Sequence, residues 1–590
     1  MQETLNFYKK QIDQLTQELS TINRTILWVR ILRLLVFTST ALLIYVTFHQ
    51  KKPPFFIILL GLLVFVFLIV KHQTLKENRG ILLSKISTNN LEINVINGRF
   101  TNLPDGSEFA DPLHFYSQDI DLFGKGSFFQ YLNRTVTHHG KATLVNILCS
   151  NTITQVEKKQ HALQELSKKV LWRQHFSALA NSVANTNTQT TQIISWITGY
   201  TNKIPPFLTY FTPLFSVISI GIIALLILKI IPFVVFTLWF FIGLIITGIY
   251  LKKTSSIYTS AGNAKAIFKQ YYLLLEHIEN EKFESEILLE KQQNIAIKNE
   301  KASSIFKKFS RILDAFDQRN NIVIAVIGNA LFLWDIVNAN KAEKWISNYK
   351  QVVQQWFDVV AFFDANTSLG NFVFNHPDYA FPVIQKNENG INAKNLGHPL
   401  LNSTKRIDNN FFIDKDQFFI ITGANMAGKS TFLRTVSLSI IMANCGLPVC
   451  AESYSYTPIK LITSMRTSDS LSDDESYFYS ELKRLKFIVD AIKTDTYFII
   501  LDEILKGTNS KDKAVGSKQF VEKLTLSKST GIIATHDISL CELAEKHLQI
   551  LNYYFDAEIV NDELFFDYTL KTGICKNMNA SFLLKKMEIV

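Results

Sequence analysis

Cysteine is scarce. The 590 residues hold five, Cys149, Cys445, Cys450, Cys541 and Cys575, an odd and scattered set with no C-x-x-C pair. Neither a disulfide framework nor a zinc site is expected, and a reducing compartment fits best. Charge is missing altogether from four stretches: Leu34 to Phe48, Pro54 to Val70, Thr212 to Leu228 and Phe233 to Leu251. The remainder carries enough Lys and Arg to give a formal net charge of +10. That excess suits nucleic acid or anionic lipid and by itself selects neither. A chain this long exceeds one hydrophobic core and implies roughly two to four units.

The uncharged stretches come in two pairs, each split by a short break: "HQKKP" with Lys51 and Lys52, and "KIIP" with Lys229 and Pro232. Each pair reads as helix, turn, helix. At 1.5 Å per residue about 20 residues cross a hydrocarbon core of roughly 30 Å, so these runs suffice if flanking side chains snorkel. Arg30, Arg33, Lys71, Lys76, Lys252 and Lys253 supply such flanks. Four buried core helices are the alternative, disfavoured because core helices seldom lack a polar face. Two crossings per hairpin return the chain to its starting side. The N-terminus, the segment from Lys71 to Lys203 and everything after Lys253 then share that side, which a need for ATP places in the cytoplasm. The first run starts too late, and is followed too soon by a second, for a cleaved signal peptide.

From about Asn392, short apolar runs alternate with helical patterns, as in a mostly parallel sheet covered by helices. "GANMAGKS", Gly423 to Ser430, fits G-x-x-x-x-G-K-[ST]; the apolar run Phe418 to Ile421 precedes it and "TFLRTVSLSIIMA" follows. Strand, loop and helix are in the order a phosphate-binding loop requires. Backbone N–H groups from Gly423 through Ala424, Asn425, Met426, Ala427, Gly428 and on to Thr431 can turn toward phosphates. Lys429 reaches the β and γ phosphates and Ser430 ligates Mg²⁺. "YFIILDE", Tyr497 to Glu503, is a strand ending in two carboxylates: Asp502 to hold Mg²⁺ through water, Glu503 to orient or deprotonate the attacking water. "GIIATHD" brings His536 to the same sheet edge.

These residues resemble the MutS mismatch-repair ATPases, whose loop reads T-G-x-N-M-x-G-K-S-T, with the Asn-Met pair as its particular mark. "SYFYSEL" (Ser476 to Leu482), "LDEILKGTNSKD", "ATHD" and "FDYTLKTGICKNMNA" (Phe566 to Ala580) are similar to further family signatures, in family order. Upstream, "DLFGKGSFFQYLNRTVTHHGKATL" (Asp121 to Leu144) resembles the start of the family's core, and "FNHPDYAFPVI" to "NLGHPLL" (Phe374 to Leu401) its re-entry into the ATPase. The resemblance implies an ABC-class, MutS-like P-loop domain at 391–590. Ahead of it are expected an N-terminal cytoplasmic helix (1–30), a transmembrane hairpin (31–70), a core segment (71–205), a second hairpin (206–251) and a mostly α-helical core and lever segment (252–390).

In the family, lever helices occupy the place of Tyr271 to Phe309; the charge-rich pattern, with Phe283 and Ile287 on one face, equally suits a solvated helix. A serine near Ser476 would approach the γ-phosphate of a partner subunit's ATP, implying a homodimer closed by ATP. The family reads mismatches by wedging the Phe of an F-x-E motif into DNA. The only such triplet here, Phe520-Val521-Glu522, lies inside the ATPase block, so wedge-type reading is not expected. The leading expectation is a membrane-anchored, Mg²⁺-dependent ATPase driving a dimeric DNA clamp. A nucleotide-dependent membrane scaffold without DNA remains open. A transporter fits less well: no L-S-G-G-Q stretch is present, and the apolar runs hold no charge to mark a substrate path.

Overall fold

The computed structural model describes residues 2–50, 55–182, 190–297, 300–385, 390–424, 426–466, 477–527, 529–560 and 563–576. Lys51 and Lys52 of the first break lie outside these residues. Two very long helices, α1 (Gln2–His49) and α2 (Phe55–Ile96), run antiparallel, as the cross-contacts Arg30 Nε to His72 Nε2 (3.3 Å) and Arg79 Nε to Asn23 Oδ1 (2.8 Å) show. Within their apolar part Gly61 lies against Thr40, so close that a Cβ would collide; small residues permit such approach where apolar helices have no water to escape.

A helical body follows: α3 (Phe128–Leu132), α4 (His138–Cys149), α5 (Val156–Lys168), α6 (Val170–Asn181), α7 (Thr190–Thr198), α8 (Leu208–Ile227) and α9 (Phe233–Glu279). It continues through α10 (Glu286–Gln293), a short ribbon β1 (Ala296–Ile297) and β2 (Glu300–Lys301), α11 (Ala302–Asp317), α12 (Asn329–Phe332), α13 (Trp334–Tyr349) and α14 (Val353–Asn375). Thr137 caps α4, its Oγ1 accepting from Gly140 N at 2.9 Å, which satisfies one of the donors a helix start leaves open. The core of this body is aromatic: Phe268, Phe306, Phe309, Trp345, Trp356 and Phe357 are buried against one another.

Two sequence expectations change here. The apolar runs are not separate modules: α1, α2 and α9 carry an apolar run and a polar, core-packing run in one continuous helix. Second, Tyr271 to Phe309 is not one helix. α9 stops at Glu279, and Phe283 sits buried in the turn before α10, edge-on to Trp172 and tilted against Phe363. The Glu165 carboxylate explains the break, accepting from the backbone N–H of Glu284 and Ser285 at 3.0 and 2.7 Å and so holding the entry to α10.

The base of the first hairpin is fastened to this body by a buried polar chain. Tyr8 OH donates to Asn375 Oδ1 at 2.8 Å, Asn375 Nδ2 to Glu92 Oε2 at 2.8 Å, and Arg134 Nε to Glu92 Oε1 at 2.6 Å. Four segments distant in sequence meet there.

The C-terminal block has two sheets. One holds β3 (Val383–Ile384), β4 (Ile391–Leu396), β5 (Asn409–Ile413) and β7 (Ser453–Tyr456), in the order β3-β7-β4-β5. The other holds β6 (Phe418–Gly423), β8 (Lys460–Ser464), β9 (Tyr497–Asp502), β10 (Thr530–Ala534), β11 (Ile550–Phe555) and β14 (Leu570–Thr572), in the order β14-β11-β6-β10-β9-β8. Only β14 is antiparallel to its neighbour in this second sheet. A small ribbon, β12 (Glu558–Val560) with β13 (Glu563–Phe565), stands apart. Helices α15 (Lys429–Asn444), α16 (Tyr477–Ala491), α17 (Ser510–Leu526) and α18 (Leu543–Lys546) complete the block. Strands β6 and β10 are buried throughout, which is why their sequences read as unbroken apolar runs rather than alternating ones.

Candidate nucleotide site

Strand register assembles the site. Ala534 of β10 pairs with Ile421 of β6 on one side and with Asp502 of β9 on the other. The loop after β6, the carboxylates after β9 and the histidine after β10 therefore leave one sheet edge side by side, at the carboxyl ends of parallel strands, where open α/β sheets bind ligands.

The loop is built on positive φ. Gly423 (φ 145°) and Gly428 (φ 100°) take conformations that L side chains avoid, and a Cβ on Gly423 would also strike the Phe555 carbonyl. Met426 (φ 67°) projects outward, 78% exposed, while Ala427 is buried. Asn425 lies outside the described residues. Gly428 caps α15, so Lys429, Ser430 and Thr431 form the first turn of that helix, where free N–H groups and the helix dipole favour phosphate.

Lys429 is buried. Its Nζ donates to the carbonyls of Gly423 and Ala424 at 2.7 and 2.9 Å. Burial lowers its pKa from the usual lysine value, while the charges of Asp502 and Glu503 oppose the drop. Ser430 Oγ donates to Asp502 Oδ2 at 2.8 Å. Glu503 has φ 51° and its N–H is fixed to Ala534 O at 2.9 Å. Its Oε1 lies 2.9 Å from His536 Nε2, and Lys506 Nζ stands 3.6 Å from Oε2. The His536 hydrogen bond, helped by the charge of Lys506, holds the Glu503 carboxyl down at about 2 against the penalty of burial. An ionised carboxylate only accepts, so Nε2 of His536 carries the proton. The 3.4 Å approach of Lys429 Nζ to that same nitrogen is then a contact between two donors.

An all-oxygen pair of hydroxyl and carboxylate, already within hydrogen-bond reach, suits the hard cation Mg²⁺. Ser430 and Asp502 would hold it, and it would supply charge neutralisation on the β and γ phosphates. Ser476 lies outside the described residues. Of its signature segment, Glu481 on α16 is buried and accepts from Lys506 N at 3.3 Å, tying that helix to the turn just beyond Glu503.

The structure adds residues that the sequence did not place beside the loop. A cavity of about 260 Å³ opens beside the loop, lined by His398, Arg406, Ile407, Gly428, Thr431 and Tyr568 among others. The Tyr568 ring comes so near Gly428 that a Cβ there would sit 3.0 Å from it, and Asn409 fastens the Tyr568 segment by accepting from Leu570 N at 2.7 Å and donating to Tyr568 O at 3.0 Å. Burial and two nearby arginines push His398 down to about 4, leaving it neutral at pH 7. Phe411 is buried against Phe419 and Phe432. The motif F-x-Y pointed to Tyr568 as a signature residue, but only the fold brings it to the loop, 140 residues away in sequence from Gly428.

The fold and this edge define an ATPase-type P-loop domain. Residues 419–586 match the profile of MutS domain V. MutS protein homolog 4 of Mus musculus is 31% identical over 193 residues, 31% of this chain and 20% of that protein. DNA mismatch repair protein MutS of Desulfatibacillum aliphaticivorans is 31% identical over 225 residues, 36% of this chain and 25% of that protein. The likeness to the MutS family lies in the block that carries the nucleotide site, residues 419–586. The matched stretch spans only about a fifth to a quarter of the length of those relatives.

Proposed function

We propose that the protein is a membrane-anchored ATPase that binds and hydrolyses ATP with Mg²⁺ to drive a dimeric, DNA-binding clamp in DNA repair or recombination, without wedge-type mismatch reading. The observation that carries the catalytic part is the convergence of Lys429, Ser430, Asp502, Glu503 and His536 on one sheet edge. Lys429 grips the phosphates, Glu503 orients or takes the proton of the attacking water, and His536 holds Glu503 ionised and in place. The 260 Å³ cavity at Tyr568 and Arg406 would receive the nucleoside. Ser476 would complete the site of a second subunit, so ATP binding closes a dimer and hydrolysis releases it.

Among the described residues, four helices are long and apolar enough to cross a membrane, and their apolar windows are mostly unburied. They support membrane anchoring, with the ATPase and core segments in the cytoplasm. The names of the relatives and the +10 net charge support DNA as partner. A salt titration of detergent-purified protein on duplex, mismatched and branched DNA tests this reading. A clamp shows affinity falling steeply with salt; no binding at low salt with Mg²⁺-ATP present would leave a membrane scaffold instead.

A further inference from the structure

We infer that a fifth apolar element enters the bilayer, the hairpin tip between Arg319 and Asp335, which dips beside α9 to about mid-depth and turns back within the same leaflet. The inference rests on reading α8 and α9 as membrane-spanning. The tip is not a crossing, because its two ends meet: Arg319 Nη2 lies 3.1 Å from Asp335 Oδ2.

The depth follows from contacts along α9. Going toward the apolar run, α11 meets α9 at Lys265, whose Nζ lies 2.9 Å from Asp317 Oδ2, and at Tyr258, whose OH donates to Asp317 Oδ1 at 2.7 Å. Arg319 Nη2 then donates to Ser255 Oγ at 3.2 Å. Past that level the chain carries no charge until Asp335. Thr247 Oγ1 reaches Asn329 O at 3.5 Å, and the Ala330 carbonyl presses on Gly243 where no Cβ could fit. Gly243 lies nine residues inside the flanking Lys252, or about 13 Å along the helix, nearly half of a ~30 Å hydrocarbon core.

The tip is made for that setting. Ile322 (77% exposed), Val323 (57%), Val326 and Ile327 are exposed, as are many apolar side chains of α8 and α9. Irregular backbone survives at such depth only where its polar groups are satisfied within the protein. The tip is irregular, with a π turn at Ile324–Gly328 and a left-handed Leu333 (φ 49°). Asn329, buried against α9, answers it: Nδ2 donates to Ala325 O at 3.0 Å and Oδ1 accepts from Asp335 N at 2.9 Å. At the mouth, Arg319 pairs with Asp335 at 3.1 Å and lies over the Tyr258 ring, and Trp334 donates to Ala315 O at 2.8 Å. Arg, Tyr and Trp at one level are the residues of a membrane–water boundary.

The test uses the full chain in phosphatidylcholine–phosphatidylglycerol vesicles, with nitroxide placed by Val323→Cys or Val326→Cys and the signal of unsubstituted protein subtracted. Leu238→Cys on α9 and Leu548→Cys on the ATPase block serve as lipid and water references. Both reference sites are exposed. Relaxation by oxygen relative to a charged nickel chelate should match Leu238→Cys and exceed Leu548→Cys by roughly tenfold or more, since hydrocarbon excludes the charged reagent. Nickel access at the tip with Leu238→Cys still protected overturns the inference alone. Protection of the tip from both reagents also overturns it, pointing to a protein partner. Nickel access at Leu238→Cys sinks the membrane reading and the inference together.

Discussion

Replacing Glu503 by Gln tests the catalytic reading most directly. The substitution keeps the side-chain shape but removes the charge that His536 Nε2 faces at 2.9 Å. A positioned general base contributes typically 10²- to 10⁴-fold, so steady-state phosphate release with Mg²⁺-ATP should fall by about that factor while nucleotide binding persists. His536→Ala separates positioning from charge. The histidine bond is the largest cause holding Glu503 at about 2 rather than the ordinary 4.5; the difference corresponds to ~3 kcal/mol at 1.36 kcal/mol per pH unit.

The sign is fixed by that direction. Glu503 stays ionised down to about pH 2 in the intact site, so its protonation places no acid limb on turnover between pH 4 and 8. In His536→Ala the carboxyl returns toward 4.5 and an acid limb should enter the range near pH 5. At pH 7, where Glu503 remains ionised, that variant should lose about 10- to 100-fold, the worth of one hydrogen bond to a charged group. Turnover within threefold of the parent in Glu503→Gln, or an unshifted acid limb in His536→Ala, would refute the assignment.

Lys429→Ala should abolish turnover and weaken ATP binding, measured by equilibrium dialysis, because it removes a buried cation that donates to the loop carbonyls. Tyr568→Ala should weaken ATP binding roughly 5- to 30-fold with little change in kcat, since a lost aromatic face costs about 1–2 kcal/mol; an unchanged Kd would remove the nucleoside from the 260 Å³ cavity. Glu92→Ala leaves the Arg134 guanidinium buried without its carboxylate and should cost about 3–5 kcal/mol, read as a drop in thermal midpoint of purified protein. Phe306→Ala, at the centre of the aromatic core, should cost about 3–5 kcal/mol by cavity formation, seen in the same assay.

The site was legible because its chemistry is local. Phosphate grip, helix start and terminal carboxylates each occupy a few consecutive residues, and the resemblance gave their order. What could not be read were meetings between distant segments. Tyr568 at Gly428 depends on Asn409 clamping the final strand, and Glu481 at Lys506 depends on how α16 packs. The turn at Phe283 escaped notice because Glu165, more than a hundred residues earlier, supplies the acceptors that hold the entry to the next helix.

The same division holds for the apolar half of the chain. Runs free of charge mark by themselves which segments can avoid water, since they hold no charged side chain that would need a partner there. Their attachments were decided only in three dimensions. Tyr8, Glu92, Arg134 and Asn375 form one chain of hydrogen bonds because four segments converge, and Ala330 at the tip reaches Gly243 because α11 lies along α9. Pattern fixes solvent preference residue by residue, whereas the pairing of buried polar groups is a property of the packed chain, and packing alone settles which partner each one meets.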